Sequence, residues 1–155
     1  MMNSEIIIPH LHYAIFNGKD TVMHLSEDAT VRMIALFDTT FCAYCHIPDM
    51  DIWNEIISYS KATQGKFEPV FIFSPRQEEI VHLKQTLKQS MLEWPLFIDE
   101  KGDFLKNNSF IPEDERFHAF LLNSENKIIL VGKPTNNNDD LLDMYKEQIQ
   151  IHINK

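Results

Sequence analysis

The feature that most constrains this chain is the run Cys42-Ala43-Tyr44-Cys45, which lies where an apolar segment gives way to helical spacing. Upstream, Val31 to Phe37 is almost uninterrupted apolar sequence, as in a strand covered on both faces. Downstream, from Ile52 to Ile57, apolar residues recur at three- to four-residue intervals. The pattern predicts a buried strand followed by a helix, with the only two cysteines of the chain at the junction.

A C-x-x-C at a strand-to-helix junction is typical of a redox pair. Two intervening residues in the first helical turn bring the two sulfurs within bridging distance. The unsatisfied N–H groups and the dipole at a helix N-terminus favour a thiolate, so they lower the pKa of the first thiol. The second thiol can then resolve a mixed disulfide. The spacing therefore predicts Cys42 as the nucleophile and Cys45 as the resolving cysteine, with no cofactor and no metal.

Three other interpretations of the motif stay open at this point. With His46 the run becomes C-x-x-C-H, the attachment pattern of c-type haem, although so strand-rich a chain lacks a helical enclosure for haem. The two thiolates with a distant histidine, of which His118 is the best candidate, would suit Cu(I) or Zn²⁺. The cysteines could also be inert residues of an interaction domain, since cysteine is often buried without a chemical role.

The rest of the chain predicts a single α/β domain over residues 1–155. Two short β-like runs flank Asn17-Gly18, a hairpin signal. Further strands are expected at Phe67–Phe73, Pro95–Ile98, Phe117–Leu122 and Lys127–Val131, and further helices through Ile80–Met91 and Leu142–Ile153. Strands that alternate with helices predict a mixed, mostly parallel sheet flanked by helices, with an N-terminal β-hairpin.

Size and charge narrow the function. A chain of 155 residues buries enough surface to fold without disulfides or metal. Its net charge of −9, with scattered basic residues, argues against nucleic acid and anionic membrane surfaces as partners. No apolar run approaches the ~20 residues of a membrane span. Residues 1–9 lack the basic start of a signal peptide, so we expect a cytoplasmic protein unless a leader preceded this sequence.

The cysteine motif and two later stretches, Trp94–Gly102 and Phe117–Ile128, resemble the thioredoxin superfamily, in particular its TlpA-like, redoxin-type thiol-disulfide oxidoreductases. The resemblance implies a thioredoxin-like fold, an enzyme that exchanges disulfides with protein thiols, an upstream electron donor and, behind a leader, a periplasmic location. It also implies that four residues contact the substrate beside the sulfurs: Phe41, Tyr44, Phe117 and His118.

The sequence departs from the family pattern in two places. The family's cis-proline position before the later strand holds Phe117, and because a cis bond there would cost ~3–4 kcal/mol we expect it to be trans. The buried acid that accepts a proton in the family has no counterpart, since Leu36 and Pro48 stand in its place. Water is then the expected proton acceptor. The other histidines are dispersed along the chain without ligand spacing.

Overall fold

The structure, a computed structural model, describes residues 1–38, 50–90, 92–136 and 139–154. The strands are β1 (Tyr13–Phe16), β2 (Lys19–Val22), β3 (Val31–Asp38), β4 (Phe67–Ser74), β5 (Leu96–Ile98), β6 (Ala119–Leu122) and β7 (Ile128–Val131). The helices are α1 (Met50–Ala62), α2 (Ile80–Lys88), α3 (Asp103–Asn107) and α4 (Asp139–Ile153), with 3₁₀ turns at Gln77–Glu79 and Glu115–Phe117. The predicted succession of strands and helices is confirmed, and α3 and the two 3₁₀ turns are added to it.

The strands form one seven-stranded sheet in the order β2-β1-β5-β4-β3-β6-β7. The pair β3–β4 is parallel over eight residues, from Val31 opposite Phe67 to Asp38 opposite Ser74. The pair β4–β5 is also parallel, and the other pairs of described strands are antiparallel. The expectation of a mostly parallel sheet was therefore wrong. A parallel pair needs a long crossover, usually a helix, and only α1 and α2 join consecutive parallel strands.

Helices cover one face of the sheet more heavily than the other. The chain moves from β3 to β4 to β5 in one direction across the sheet, so right-handed crossovers place α1 and α2 on the same face. That face buries Trp53, Leu83 and Tyr145 from α1, α2 and α4. The opposite face is closed by Phe104 of α3 and Ile6 of the N-terminal segment. No helix in the described part of the chain is long and apolar enough to cross a membrane.

The predicted N-terminal hairpin is present, with β1 and β2 paired from Tyr13 opposite Val22 to Phe16 opposite Lys19. Its two turn residues, Asn17 and Gly18, have φ angles of 53° and 76°. Positive φ at both central residues is the requirement of a type I′ turn, and Asn-Gly meets it with little strain. The dipeptide thus determines where the chain reverses.

The N-terminal segment, residues 1–11, is fixed to the domain by the side chain of Asn108. The Ile7 N–H donates to Asn108 Oδ1 at 2.8 Å, and Asn108 Nδ2 donates to the carbonyls of Ile7 and Phe104, each at 2.8 Å. Asn108 is 1% exposed, so the amide has little access to water as an alternative partner. A bridge between Glu5 and Lys127 extends the attachment to β7.

We predict that Asn108→Ala lowers the free energy of unfolding by about 2–4 kcal/mol, because it leaves buried main-chain groups without partners. Guanidinium unfolding measures this loss, and amide exchange at Ile7 should become faster. Asn107→Ala, at the neighbouring exposed position, is the control. Equal stability of the two variants would contradict the assigned role of Asn108.

Candidate functional site

The candidate site lies at the carboxyl end of β3, where the chain runs into the cysteine motif. Cys42 and Cys45, with Phe41 and Tyr44, fall in residues 39–49, outside the described residues. The described part of the site, called here the strand-end site, is made of Leu36, Phe37, Phe117, His118 and Lys133.

An aromatic cluster fixes Phe37 at the end of β3. Its ring stacks on Phe73 with centroids 4.7 Å apart and meets the edges of Trp53 and Phe71 at 5.5 and 6.1 Å. Such pairs contribute about 0.5–1.5 kcal/mol each beyond the area they bury. Because Trp53 belongs to α1, the cluster couples the end of β3 to the helix that follows the motif.

Strand β6 begins at Ala119, two residues later than predicted. Phe117 N–H donates to the Asp114 carbonyl and His118 N–H to the Glu115 carbonyl, both at 3.0 Å, and these bonds form a 3₁₀ turn. The carboxylate of Asp114 caps the turn by accepting from the Arg116 N–H at 2.9 Å. The expectation that Phe117 and His118 belong to the strand was therefore wrong, because a side-chain cap competes there with the sheet.

The turn changes how the peptide groups of Leu36 are satisfied. Leu36 N–H donates to the His118 carbonyl at 2.8 Å, as an antiparallel ladder requires. The return bond, from His118 N–H to the Leu36 carbonyl, is missing because the 3₁₀ turn uses that N–H. Instead, the ammonium of Lys133 donates to the Leu36 carbonyl at 3.3 Å. A charged side chain thus replaces a main-chain donor at the carboxyl end of β3.

Lys133 is the site residue that sequence reasoning missed. Its Nζ lies 4.6 Å from the centroid of the Phe37 ring, within cation–π distance. The residue before it, Gly132, accepts a 2.5 Å hydrogen bond from the hydroxyl of Tyr145, whose burial raises its pKa. No local motif marks Lys133. The available signal was its position just after the apolar run of β7, a strand that lies two places from β3 in the sheet.

The two described residues that were predicted to contact substrate lie together but face different surroundings. Phe117 is 37% exposed, whereas His118 is 3% exposed. His118 Nε2 lies 2.8 Å from the Pro112 carbonyl, and because a carbonyl only accepts, Nε2 carries the proton. Nδ1 is the ring nitrogen that remains for another partner. Peptide bonds in the described residues are all trans, so the expectation for Phe117 is confirmed.

Three histidines that are dispersed in the sequence come together at the open end of the N-terminal hairpin. The ring centroids of His10 and His12 are 5.1 Å apart, and those of His10 and His24 are 6.0 Å apart. They come together because the hairpin returns residue 24 to the level of residue 12. Over the residues with described positions, no group of three or more His, Cys, Asp or Glu side chains has a geometry that could hold a metal ion.

The structure is similar to solved thioredoxin-like proteins. A thioredoxin domain of a thiol-disulfide oxidoreductase from Bacteroides vulgatus matches with a TM-score of 0.59 and 13% identity, over 96% of this chain and 98% of that one. A mitochondrial 2-Cys peroxiredoxin from Plasmodium falciparum matches at 0.61 and 12%, over 97% and 95%. An uncharacterized thioredoxin-like protein from Porphyromonas gingivalis matches at 0.56 and 15%, over 96% and 95%. These matches confirm the predicted thioredoxin-like fold. No family model and no curated protein matches the sequence.

The carboxyl group of Asp114, which caps the 3₁₀ turn, has a lowered pKa. Hydrogen bonds from the Arg116 side chain and main chain lower the pKa of Asp114 from its ordinary 3.8 to about 2. A carboxyl group whose pKa is lower in the folded state stabilises that state above its unfolded pKa. The contribution is complete above about pH 4 and is lost as the pH falls through about 2.

We predict that Asp114→Asn lowers the free energy of unfolding at pH 6 and that its difference from the original protein shrinks towards pH 2. Asparagine still caps the turn but cannot pair as an anion with the Arg116 guanidinium. The substitution therefore removes the effect of the charge and keeps the cap. Urea unfolding across the pH range measures the difference. A difference of the same size at pH 6 and pH 2 would show that the charge does not stabilise the turn.

Proposed function

We propose that this protein is a thiol-disulfide oxidoreductase that exchanges disulfides with protein thiols through Cys42 and Cys45. The observation that carries the proposal is the position of the C-x-x-C in the chain. It follows the end of β3 at Asp38 and precedes α1, which is described from Met50. The proposal includes a Cys42 thiol at the N-terminal end of a helix, where the helix dipole would favour the thiolate.

The kinds of proteins that share the fold support the same chemistry. One of the similar structures is described as a thiol-disulfide oxidoreductase and another as a 2-Cys peroxiredoxin. Both descriptions name proteins that react through cysteine thiols. A fold supports many functions, however, and the proposal depends on the cysteine motif of this chain rather than on the fold alone.

The proposed reaction has two exchange steps. The Cys42 thiolate attacks one sulfur of a substrate disulfide, forming a mixed disulfide and releasing the other substrate sulfur as a thiolate that takes a proton from water. Cys45 then loses its proton to water and attacks the Cys42 sulfur, which releases the second substrate sulfur as a thiolate that takes a proton from water and leaves a Cys42–Cys45 disulfide. Two electrons pass from the cysteine pair to the substrate. An upstream electron donor returns the pair to its thiol form.

The strand-end site suits the approach of a protein substrate. Phe117 presents an exposed aromatic ring beside the end of β3. The carbonyl of the next residue, His118, accepts the hydrogen bond from Leu36 N–H that holds this main chain against β3. We propose that Phe41 and Tyr44 complete the contact surface on the motif side. The enzyme would act in the periplasm if a leader preceded this sequence, and in the cytoplasm otherwise.

We predict that Cys42→Ser abolishes insulin disulfide reduction and that Cys45→Ser accumulates a mixed disulfide with insulin, because the resolving thiol is missing. Turbidity and non-reducing mass spectrometry measure the two outcomes. Full activity of Cys42→Ser would remove the assigned nucleophile. Stoichiometric copper or zinc, or a haem absorbance band in the purified protein, would favour a metal or haem site over the exchange reaction.

We further propose that Lys133 helps to keep Cys42 ionised. Its ammonium is held at the carbonyl of Leu36 and over the ring of Phe37, and Cys42 follows Phe37 by five residues in the chain. A fixed positive charge near a thiol favours the thiolate and lowers its pKa.

We predict that Lys133→Met raises the pKa of the Cys42 thiol, by up to about one unit, and slows its alkylation at neutral pH. Lys133→Arg keeps the charge and should retain most of the low pKa. Lys127→Met is the matched control, since Lys127 stands before β7 and Lys133 lies beyond its other end. The pH dependence of iodoacetamide labelling in Cys45→Ser protein measures the pKa. The same pKa in all four proteins would contradict the role of Lys133.

A further inference from the structure

A cavity of about 430 Å³ opens at the amino end of β4, away from the strand-end site. It lies between the starts of β4 and β5, the end of β1, the end of α1 and the segment after β2. Its lining includes Phe16, Lys61, Glu68, Glu93, Trp94 and Phe97.

The cavity exists because β5 begins late. Strand β4 starts at Phe67, but β5 pairs with it only from Phe71 to Phe73. The first four residues of β4 therefore have no neighbouring strand on the β5 side. The space that such a strand would fill is the cavity.

The main chain that faces this gap has no unsatisfied groups to offer another strand. Phe67 N–H donates to Thr63 Oγ1 at 3.1 Å, and the Phe67 carbonyl accepts from Ser60 Oγ at 2.6 Å. Pro69 has no N–H, and its carbonyl accepts from the indole of Trp94 at 2.8 Å. An occupant would therefore bind through side-chain contacts rather than by strand addition.

The walls of the cavity favour an aromatic ring. Phe16 from the end of β1 and Trp94 and Phe97 from the segment around β5 contribute aromatic side chains, and Met23, Leu25 and two prolines add further apolar side chains. Aromatic surfaces bind another ring by stacking or edge contacts, which add to the gain from apolar burial. The volume falls within the range of small-molecule sites.

The rim of the cavity carries one available charge of each sign. The carboxylate of Glu68 is occupied, because it accepts from Arg32 Nε and from the Ser26 N–H, both at 2.9 Å. Lys61 and Glu93 are exposed, and neither forms an ion pair with any side chain in the described ranges. A zwitterion complements such a rim, with its carboxylate towards Lys61 and its ammonium towards Glu93.

We propose that this cavity binds a free amino acid with an aromatic side chain, the ring between Phe16, Trp94 and Phe97 and the charged end at Lys61 and Glu93. The site is independent of the proposed disulfide exchange. Glu68 at the cavity and Ser74 beside the end of β3 lie six residue steps apart along β4, about 20 Å of strand.

The first test is a titration of the full chain with L-phenylalanine, followed by tryptophan fluorescence and by calorimetry. Trp94 lines the cavity and should report binding, while Trp53, 1% exposed in the core, contributes a constant background. We expect a saturable signal with L-phenylalanine and none with glycine. 3-Phenylpropionate lacks the ammonium and phenethylamine lacks the carboxylate, so each should bind more weakly than L-phenylalanine.

The second test uses exposed rim variants that leave the core intact. Lys61→Met and Glu93→Gln should each weaken L-phenylalanine binding roughly two- to fivefold, the size of one exposed ion pair. Lys66→Met, an exposed lysine outside the cavity lining, should bind as the original protein does. The proposal is overturned if L-phenylalanine gives no saturable signal. It is also overturned if both single-charge analogues bind as tightly as L-phenylalanine, or if neither rim variant changes the affinity for L-phenylalanine.

Discussion

The hydrogen bonds of the Leu36 peptide groups determine how the chain leaves the centre of the sheet. The Leu36 N–H donates to the His118 carbonyl and the Leu36 carbonyl accepts from the Lys133 ammonium, so the residue before β6 and the residues after β7 both hold the carboxyl end of β3. The 3₁₀ turn takes up the His118 N–H, so without Lys133 the Leu36 carbonyl would lack a donor. A buried unsatisfied carbonyl costs about 1–3 kcal/mol. The same arrangement places a positive charge at the strand end that precedes the cysteine motif.

The two ends of β4 differ in their neighbours, and this difference separates the strand-end site from the cavity. At its carboxyl end, β4 pairs with both β3 and β5, and Phe71 and Phe73 join the aromatic cluster around Phe37. At its amino end only β3 is adjacent, and the side chains of Ser60, Thr63 and Trp94 bind the main-chain groups of the exposed edge. The first end is packed by aromatic rings beside the strand end that precedes the cysteine motif, while the second leaves a cavity.

Short sequence patterns predicted the strands, the helix and the turn that depend on neighbouring residues in the chain. The apolar run from Val31, the helical spacing from Ile52 and the Asn17-Gly18 turn were each found where the sequence placed them. The proportion of parallel pairs was not predictable in this way, because it depends on where the two hairpins join the sheet. Nor was the role of Lys133, since a lysine becomes part of a site only when strands distant in sequence become neighbours.

The proposed function requires Cys42 and Cys45 to form one reversible redox couple. Equilibration of the intact protein with glutathione buffers of different potential, with free thiols counted by alkylation and mass spectrometry, measures this couple. We expect both thiols to be lost together in a single two-electron transition, with a potential between roughly −270 and −120 mV, the range of known exchange proteins. Thiols that never pair, or a disulfide that stays closed below about −300 mV, would contradict it.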